Sequence, residues 1–447
     1  MSNISTPIFD FVQTYAQKDN VRFHMPGHKG KGILGIEKYD ITEIYGADSL
    51  FEADGIICES EKNLAEIFGT RASFYSTEGS SLCIRAMLQT VLSFGRTCGK
   101  NKIVAARNVH KAFVYSAALL DFDISWLGCG NENLYCCNID LNELEQSLVS
   151  NHDVAAVYVT SPDYLGNIAD IKAISKVCKK CDVPLIVDNA HGAYLKFVMP
   201  SMHPVDLGAD MCCDSAHKTL PVLTGGAYLH VSKDSKYDFE KHIKNSMALF
   251  ASTSPSYIIL ASLDMANKTL CGNFQQMVNR TAELVENVRI RLKNAGYHVV
   301  GNEPLKITLK TKIKGYYGTE IAQVLEKNGI WCECSDKDNV VLMFSPYNTQ
   351  DDIEKLCSVL CGIDSQQGID EAPPVIDVAK SAMSVRCAIM SRSEKVQVSN
   401  AVGRILASPS VSCPPAIPVA ICGERITEQT ANCFLYYGIN EVDVVME

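Results

Sequence analysis

The chain has 447 residues, of which 47% are hydrophobic and 21% charged, and its formal net charge is −10. That acidic balance argues against a nucleic-acid binder, which needs a basic patch to meet phosphate, and mildly favours cationic small molecules. The length predicts two or three domains, and no apolar run approaches the ~18 residues of a membrane span. Nineteen cysteines, odd in number and scattered through strand and helix patterns, read as reduced thiols of a soluble cytoplasmic protein. The N-terminal stretch has no basic segment followed by an apolar run, so no signal peptide is expected.

In chain order, residues 1–35 predict an N-terminal arm: an amphipathic stretch through Ile8, Phe9, Val12 and Tyr15, then a glycine-rich loop. Strand-like and helix-like segments then alternate through a large domain spanning 36–255. Lys102–Ala106, Ala155–Thr160 and Leu185–Asp188 are continuous apolar runs, the pattern of parallel strands covered on both faces. Between the last two, Ile171, Ile174, Val177 and Cys178 recur at helical spacing behind Asp170, a candidate N-cap. Strand, helix, strand of this kind predicts an α/β doubly wound, mostly parallel sheet with its ligand beyond the carboxyl ends of the strands. A long helical stretch is predicted over 256–295. It opens a smaller α+β domain, 256–365, with strands near 305–310 and 340–344 and a helix near 351–356. A polar segment over 364–374 reads as a linker, and 375–447 form a C-terminal domain. Internal repeats are not evident.

The residues with the clearest chemistry follow two of these strands. Lys218 stands in Asp214-Ser215-Ala216-His217-Lys218-Thr219-Leu220-Pro221, between an apolar cysteine-rich stretch and Gly225-Gly226. A solvated surface lysine rarely has such flanks. Burial would lower its pKa by disfavouring the charged amine, which suits imine chemistry. Asp188 and His191 end the run Pro184-Leu185-Ile186-Val187. An amine able to form a Schiff base, with a strand-end carboxylate able to keep a pyridine nitrogen protonated, is the requirement of a pyridoxal 5'-phosphate enzyme. Ser80 and Ser81 follow Gly79 in a polar turn before a helix-like run. They serve as ordinary cap residues, as a phosphate cradle at a helix N-terminus, or as both. Alone, His110 reads as a satisfied core histidine. His217, adjacent to Lys218, is open to a phosphate contact or to proton transfer.

Ser215-Ala216-His217-Lys218 resembles the cofactor-lysine motif of the bacterial Orn/Lys/Arg decarboxylase family. His24-Met25-Pro26-Gly27-His28-Lys29-Gly30, Asp40-Ile41-Thr42-Glu43 with Asp48-Ser49-Leu50, Ser76–Ser81, Arg107–Lys111, Ser252–Tyr257 and Ala401–Ile405 resemble further segments of that family in the same order. The resemblance spans nearly the whole chain and implies the aspartate-aminotransferase-like fold type I. It implies that Lys218 carries pyridoxal 5'-phosphate, that Asp188 holds its ring nitrogen, and that His110 stacks on the ring. It also implies that Ser80, Ser81, Ser215 and His217 lie around the cofactor, with His191 at its phenolic oxygen or the substrate carboxylate. Thr253 and Ser254 resemble phosphate contacts supplied by a neighbouring subunit, so a homodimer or higher homo-oligomer with shared sites is implied. The implied activity is decarboxylation of arginine, lysine or ornithine, with Lys218 or His217 returning the proton to Cα. The sequence departs from the family pattern at Glu78, where a small neutral amide is usual, and at Cys413 and Ala416 around Pro414-Pro415, which bears on substrate identity.

Three other motifs fail on context. Gly30-Lys31-Gly32-Ile33-Leu34-Gly35 spells a dinucleotide fingerprint but follows Met25-Pro26-Gly27-His28 rather than a strand. Cys178-Lys179-Lys180-Cys181 lacks the second ligand pair of a zinc site. His24 and His28 are separated by Pro26 and Gly27, which break the helix that a metal pair needs, so no metal is expected. The rival readings are an aminotransferase or carbon–sulfur lyase on the same scaffold, and a catalytically silent homologue acting as a binding partner.

Overall fold

A computed structural model describes residues 4–128, 138–374, 381–410 and 417–446 of the chain. Cys413 and Ala416 lie outside the described residues. The chain forms two compact units, one of Met1–Asn101, His152–Tyr158 and Ile171–Val278, the other of Lys102–Asn151, Val159–Asp170 and Asn279–Glu447.

The large sheet has seven strands: β1 (Ala72–Ser76), β2 (Lys102–Ala106), β3 (Asp123–Leu127), β4 (Val154–Thr160), β5 (Leu185–Asp188), β6 (Met211–Asp214) and β7 (Ala227–Val231), in the order β1-β7-β6-β5-β4-β2-β3. β2 pairs in parallel with β3 and β5 with β6, whereas β7 runs antiparallel to both β1 and β6. Every residue of β5, β6 and β7 is buried. Unbroken apolar runs arise because such strands are covered on both faces, leaving no solvated side to alternate toward.

In the first unit the helix Ile171–Lys180 buries Ile171, Ile174 and Cys178, three of the four positions that the periodicity marks out. The helix Gly79–Arg96 buries Leu82, Cys83, Ile84, Ala86, Met87 and Leu88 among others. The expected amphipathic arm is the helix Pro7–Gln17, which buries Ile8 and Val12. Its first amides, those of Ile8 and Phe9, both donate to Asp264 Oδ2 at 2.9 Å. A carboxylate at that end satisfies orphan N–H groups and complements the helix dipole.

The long helix expected over 256–295 is two helices, Tyr257–Cys271 and Phe274–Asn294. Gly272 ends the first with φ −78° and ψ −127°, outside helical geometry. The apolar periodicity runs on through this break, so hydrophobic pattern alone hides it.

In the second unit, strands β8 (His298–Val300), β9 (Lys306–Lys310), β10 (Cys334–Ser335) and β11 (Asn339–Met343) form an antiparallel sheet in the order β10-β11-β9-β8. Helices Gly318–Lys327 and Gln350–Cys361 accompany it. The polar linker is irregular as expected, but it is tied down: Gln366 N donates to Lys314 O at 3.0 Å and Ile369 N to Lys312 O at 3.0 Å. Beyond it, β12 (Ser393–Gln397) pairs with β13 (Glu441–Val445). There Val398, Leu406, Ile426, Phe434, Val442 and Val444 build an apolar core.

Candidate active site

β5 and β6 are parallel neighbours, so their carboxyl ends bring Asp188 and Asp214 together at one edge of the sheet. Asp188 is buried, 2% exposed. Its Oδ2 accepts from the Tyr158 hydroxyl at 3.0 Å, and its Oδ1 accepts from Ala190 N at 3.1 Å and from the Cys213 thiol at 3.7 Å. Burial pushes the Asp188 carboxyl above the usual carboxylate range, while the Tyr158 hydroxyl, the Ala190 amide and the charge of Lys218 pull it back. Desolvation disfavours the anion unless a cation comes to meet it.

After Asp214 the chain turns through Ser215 into the short helix Ala216–Thr219. Lys218 Nζ lies 2.9 Å from Nε2 of the buried His191. The expectation of a buried lysine is corrected here. Ala216, Thr219 and Leu220 take the buried positions of this turn, and Lys218 is exposed at the strand end. His217 Nδ1 donates to Gly226 O at 2.9 Å, and its backbone N donates to the same carbonyl at 3.1 Å.

The Ser80 turn, between β1 and the helix Gly79–Arg96, meets the Lys218 segment. Ser215 Oγ donates to Ser80 Oγ at 2.7 Å. Ser80 and Ser81 stand in the first turn of the eighteen-residue helix that Gly79 opens. Gly79 has φ +70°, and a Cβ built there would meet no atom within 4 Å. Its amide donates to Gly225 O at 2.7 Å. Glu78, the departure from the family pattern, is accounted for by its partner: Oε1 accepts from Ser252 N at 2.8 Å. Thr253 and Ser254 are exposed on the same loop, ahead of the helix Tyr257–Cys271.

His110 belongs to the second unit, where it caps the helix Lys111–Leu120 by accepting from Ala112 N at 3.1 Å. Three residues earlier, the Arg107 guanidinium makes a buried bidentate pair with Glu424, at 2.6 and 3.0 Å.

Sequence reasoning missed three features of this region. Tyr158, which fixes the Asp188 carboxylate, had a signal in being the one polar-tipped residue within the run Ala155-Ala156-Val157-Tyr158-Val159. Gly225 holds the Ser80 turn; it has φ +99°, and a Cβ there would lie 2.9 Å from Thr77 O. The third feature is a fully buried cluster in which His203 Nε2 donates to Asp214 Oδ2 at 2.9 Å and His230 Nε2 lies 3.3 Å from the same oxygen. Burial works against the Asp214 anion, but the two histidines hold its carboxyl well below the usual range. Burial pushes the His230 imidazole down. The pairing of β6 with β7 brings Asp214 and His230 together, and His203 joins them from the turn ahead of β6, so no local spacing announces them.

The motifs set aside from the sequence have other partners. His24 Nε2 meets the Tyr15 hydroxyl at 2.6 Å and His28 Nε2 meets Asp40 Oδ2 at 3.2 Å. Cys178 and Cys181 are free thiols.

Residues 6–311 match the family model for the major domain of Orn/Lys/Arg decarboxylase, and residues 371–442 match the model for its C-terminal domain. The chain is 31% identical over 472 residues to an arginine decarboxylase of Bacillus subtilis, across 96% of this chain and 93% of that protein. It is 31% identical over 465 residues to an arginine decarboxylase of Halalkalibacterium halodurans, across 95% and 91% of the two chains. Its fold superposes on lysine decarboxylase A from Pseudomonas aeruginosa with a TM-score of 0.81 at 19% identity, covering 97% of this chain and 76% of that one. A buried acid and a lysine at neighbouring strand ends, on this fold and with matches along nearly the whole length, lead to one conclusion: the chain belongs to the Orn/Lys/Arg decarboxylase family.

Proposed function

We propose that this chain decarboxylates a basic amino acid, arginine first, with pyridoxal 5'-phosphate as its cofactor. The observation that carries the reading is the pairing of buried Asp188 with the Lys218–His191 contact at the carboxyl ends of β5 and β6. Arginine is favoured because four of the relatives that match at nearly full length are named arginine decarboxylases.

The residues present fit the cofactor. Asp188 is a buried acid whose anion is disfavoured without a cationic partner, which suits a protonated ring nitrogen. Open space over Gly79, the Ser80 and Ser215 hydroxyls and the first amides of a long helix suit a phosphate. Lys218, exposed at the strand end, supplies the amine that would meet the cofactor's aldehyde. When bound, the cofactor supplies an electron sink for the bond between Cα and the carboxylate.

The chain's own groups do the rest. Asp188, braced by Tyr158, holds a proton on the ring nitrogen. His191 Nε2, 2.9 Å from Lys218 Nζ, exchanges a proton with that amine. Lys218 or His217 returns a proton to Cα. His217 keeps its Nδ1 hydrogen on the Gly226 carbonyl, so its Nε2 is the atom that would act. Ser81 would add a hydroxyl to the phosphate turn, and by the family resemblance His110 would help to hold the cofactor ring.

The same reading makes the enzyme a homo-oligomer in which Thr253 and Ser254 reach the partner's phosphate. Support comes from their exposure and from the apolar residues Val21, Phe23, Met25, Ile33 and Leu34, each at least 64% exposed. An apolar stretch of this kind marks an interface. A cytoplasmic location belongs to the same reading, and the free thiol at every described cysteine supports it. Along the chain we divide it into the arm 1–35, the cofactor domain 36–255, the small domain 256–365 and the C-terminal domain 375–447.

The test is product analysis on the protein supplied with pyridoxal 5'-phosphate and, in turn, arginine, lysine and ornithine. Amine and CO2 should appear in equal amounts, fastest from arginine. A keto acid without CO2 would contradict the reading; faster turnover of lysine or ornithine would overturn only the choice of substrate.

A further inference from the structure

We infer that Asp214 is a positioning residue, which sets the strand end carrying Asp188 against the strand end that leads into Lys218. The inference rests on the roles proposed above for those two residues. Asp214 is the last residue of β6, and Ser215, His217 and Lys218 follow within the next turn. Its Oδ1 accepts from Asn189 Nδ2 at 2.7 Å, and Asn189 is the residue directly after Asp188. The backbone repeats the link, with Asn189 N donating to Cys213 O at 2.9 Å.

The carboxylate is held in turn from its other side. His203 and His230 face Oδ2 at 2.9 and 3.3 Å. Both rings are fixed from behind: Phe68 stacks on His230 with centroids 4.3 Å apart and meets His203 edge-on at 5.4 Å, and Ser73 Oγ lies 2.7 Å from His230 Nδ1. Asp214, Asn189, His203 and His230 are all fully buried. Rotating the carboxylate would strand at least one buried donor, which is costly away from water. The strand end therefore has one geometry, and Asn189 passes it to Asp188. Small misplacements of a catalytic pair cost rate far more than they cost binding.

The test compares Asp214→Asn, Asn189→Ala and the double variant in the protein carrying its cofactor. Each single variant should lower kcat by about tenfold or more while KM for the amino acid stays within about threefold, because positioning acts on the transition state. The double variant should be no more than about twofold slower than the slower single, since both remove one link. In the protein without cofactor, hydrogen–deuterium exchange should rise in the segments 186–192 and 212–220 and stay unchanged in 339–343, a readout independent of turnover. Asn189→Ala leaves the carboxylate between its two histidines, so it carries the test should Asp214→Asn fail to fold. Single variants within about twofold of wild-type kcat, or losses that multiply in the double variant, would overturn the positioning role. Borohydride labelling of the unaltered protein separates the two claims. A label on Lys218 with kcat unmoved in the variants overturns the positioning alone, whereas a label on another lysine overturns the underlying reading as well.

Discussion

In the proposed site Asp188 is a buried acid, and Lys218 is an exposed residue whose Nζ lies 2.9 Å from His191 Nε2. Asp188→Asn keeps the shape of the side chain and its contact with Tyr158, so the protein should fold and bind cofactor, yet turnover should fall by orders of magnitude. A kcat within about threefold of wild type, ~0.6 kcal/mol in the barrier, would make the carboxylate structural. Tyr158→Phe should show a smaller loss, about tenfold or less, because it removes one of the bonds that brace Asp188 while leaving the charge in place. Steady-state kinetics on the two variants side by side gives the ranking. The placing of Asp188 at the end of a buried strand was legible in the sequence, since a strand covered on both faces reads as an unbroken apolar run. The exposure of Lys218 was not, because flanking residues report the burial of the backbone rather than the direction of one side chain.

At the scale of elements, the strands were legible and the joints between them less so. β5 is covered throughout and β4 up to Val159, and such coverage demands unbroken apolar runs that can be read directly. The break at Gly272 escaped because the helices on either side share one apolar periodicity. The His203–Asp214–His230 cluster escaped because sheet pairing and a turn ahead of β6, not spacing, assemble it. Gly225 shows what a joint requires. Gly225→Ala would put a Cβ 2.9 Å from Thr77 O at a φ of +99°, displacing the loop whose carbonyl holds Gly79. Cofactor affinity should weaken by at least about tenfold, measured by titrating the protein stripped of cofactor.

The N-terminal helix gives a pH-dependent prediction. Burial raises the Asp264 carboxyl from 3.8 to about 6, against the pull of Ser60 and the amides of Phe9 and Ile8. A carboxyl whose folded pKa lies above its unfolded value contributes stability that is fully present below the unfolded pKa and is lost as pH rises through the folded one. Relative to Asp264→Asn, the wild type should therefore lose stability between about pH 4 and pH 6, by about 3 kcal/mol at most. Urea unfolding of the two proteins across that range checks the sign. A difference that does not vary with pH would show that the amides of Ile8 and Phe9 hold the anion as well as water does.

For the whole molecule, the proposed homo-oligomer predicts that one chain does not hold a complete site. Lys218→Ala and a bulky double substitution at Thr253 and Ser254 should each be inactive, and mixing them under subunit exchange should restore activity through hybrid dimers with one intact site. A fully active monomer, or no recovery despite demonstrated exchange, would remove the shared site and leave the decarboxylase reading in place. No described helix is long and apolar enough to cross a membrane. The central claim is narrower than the assembly: Lys218 is the residue that holds the cofactor. The most direct measurement is borohydride reduction of the protein loaded with pyridoxal 5'-phosphate, followed by mass spectrometry of its peptides. The account predicts a phosphopyridoxyl group on Lys218 and loss of the bound cofactor's visible absorbance in Lys218→Ala. A label fixed on any other lysine, with Lys218 unmodified, would contradict it.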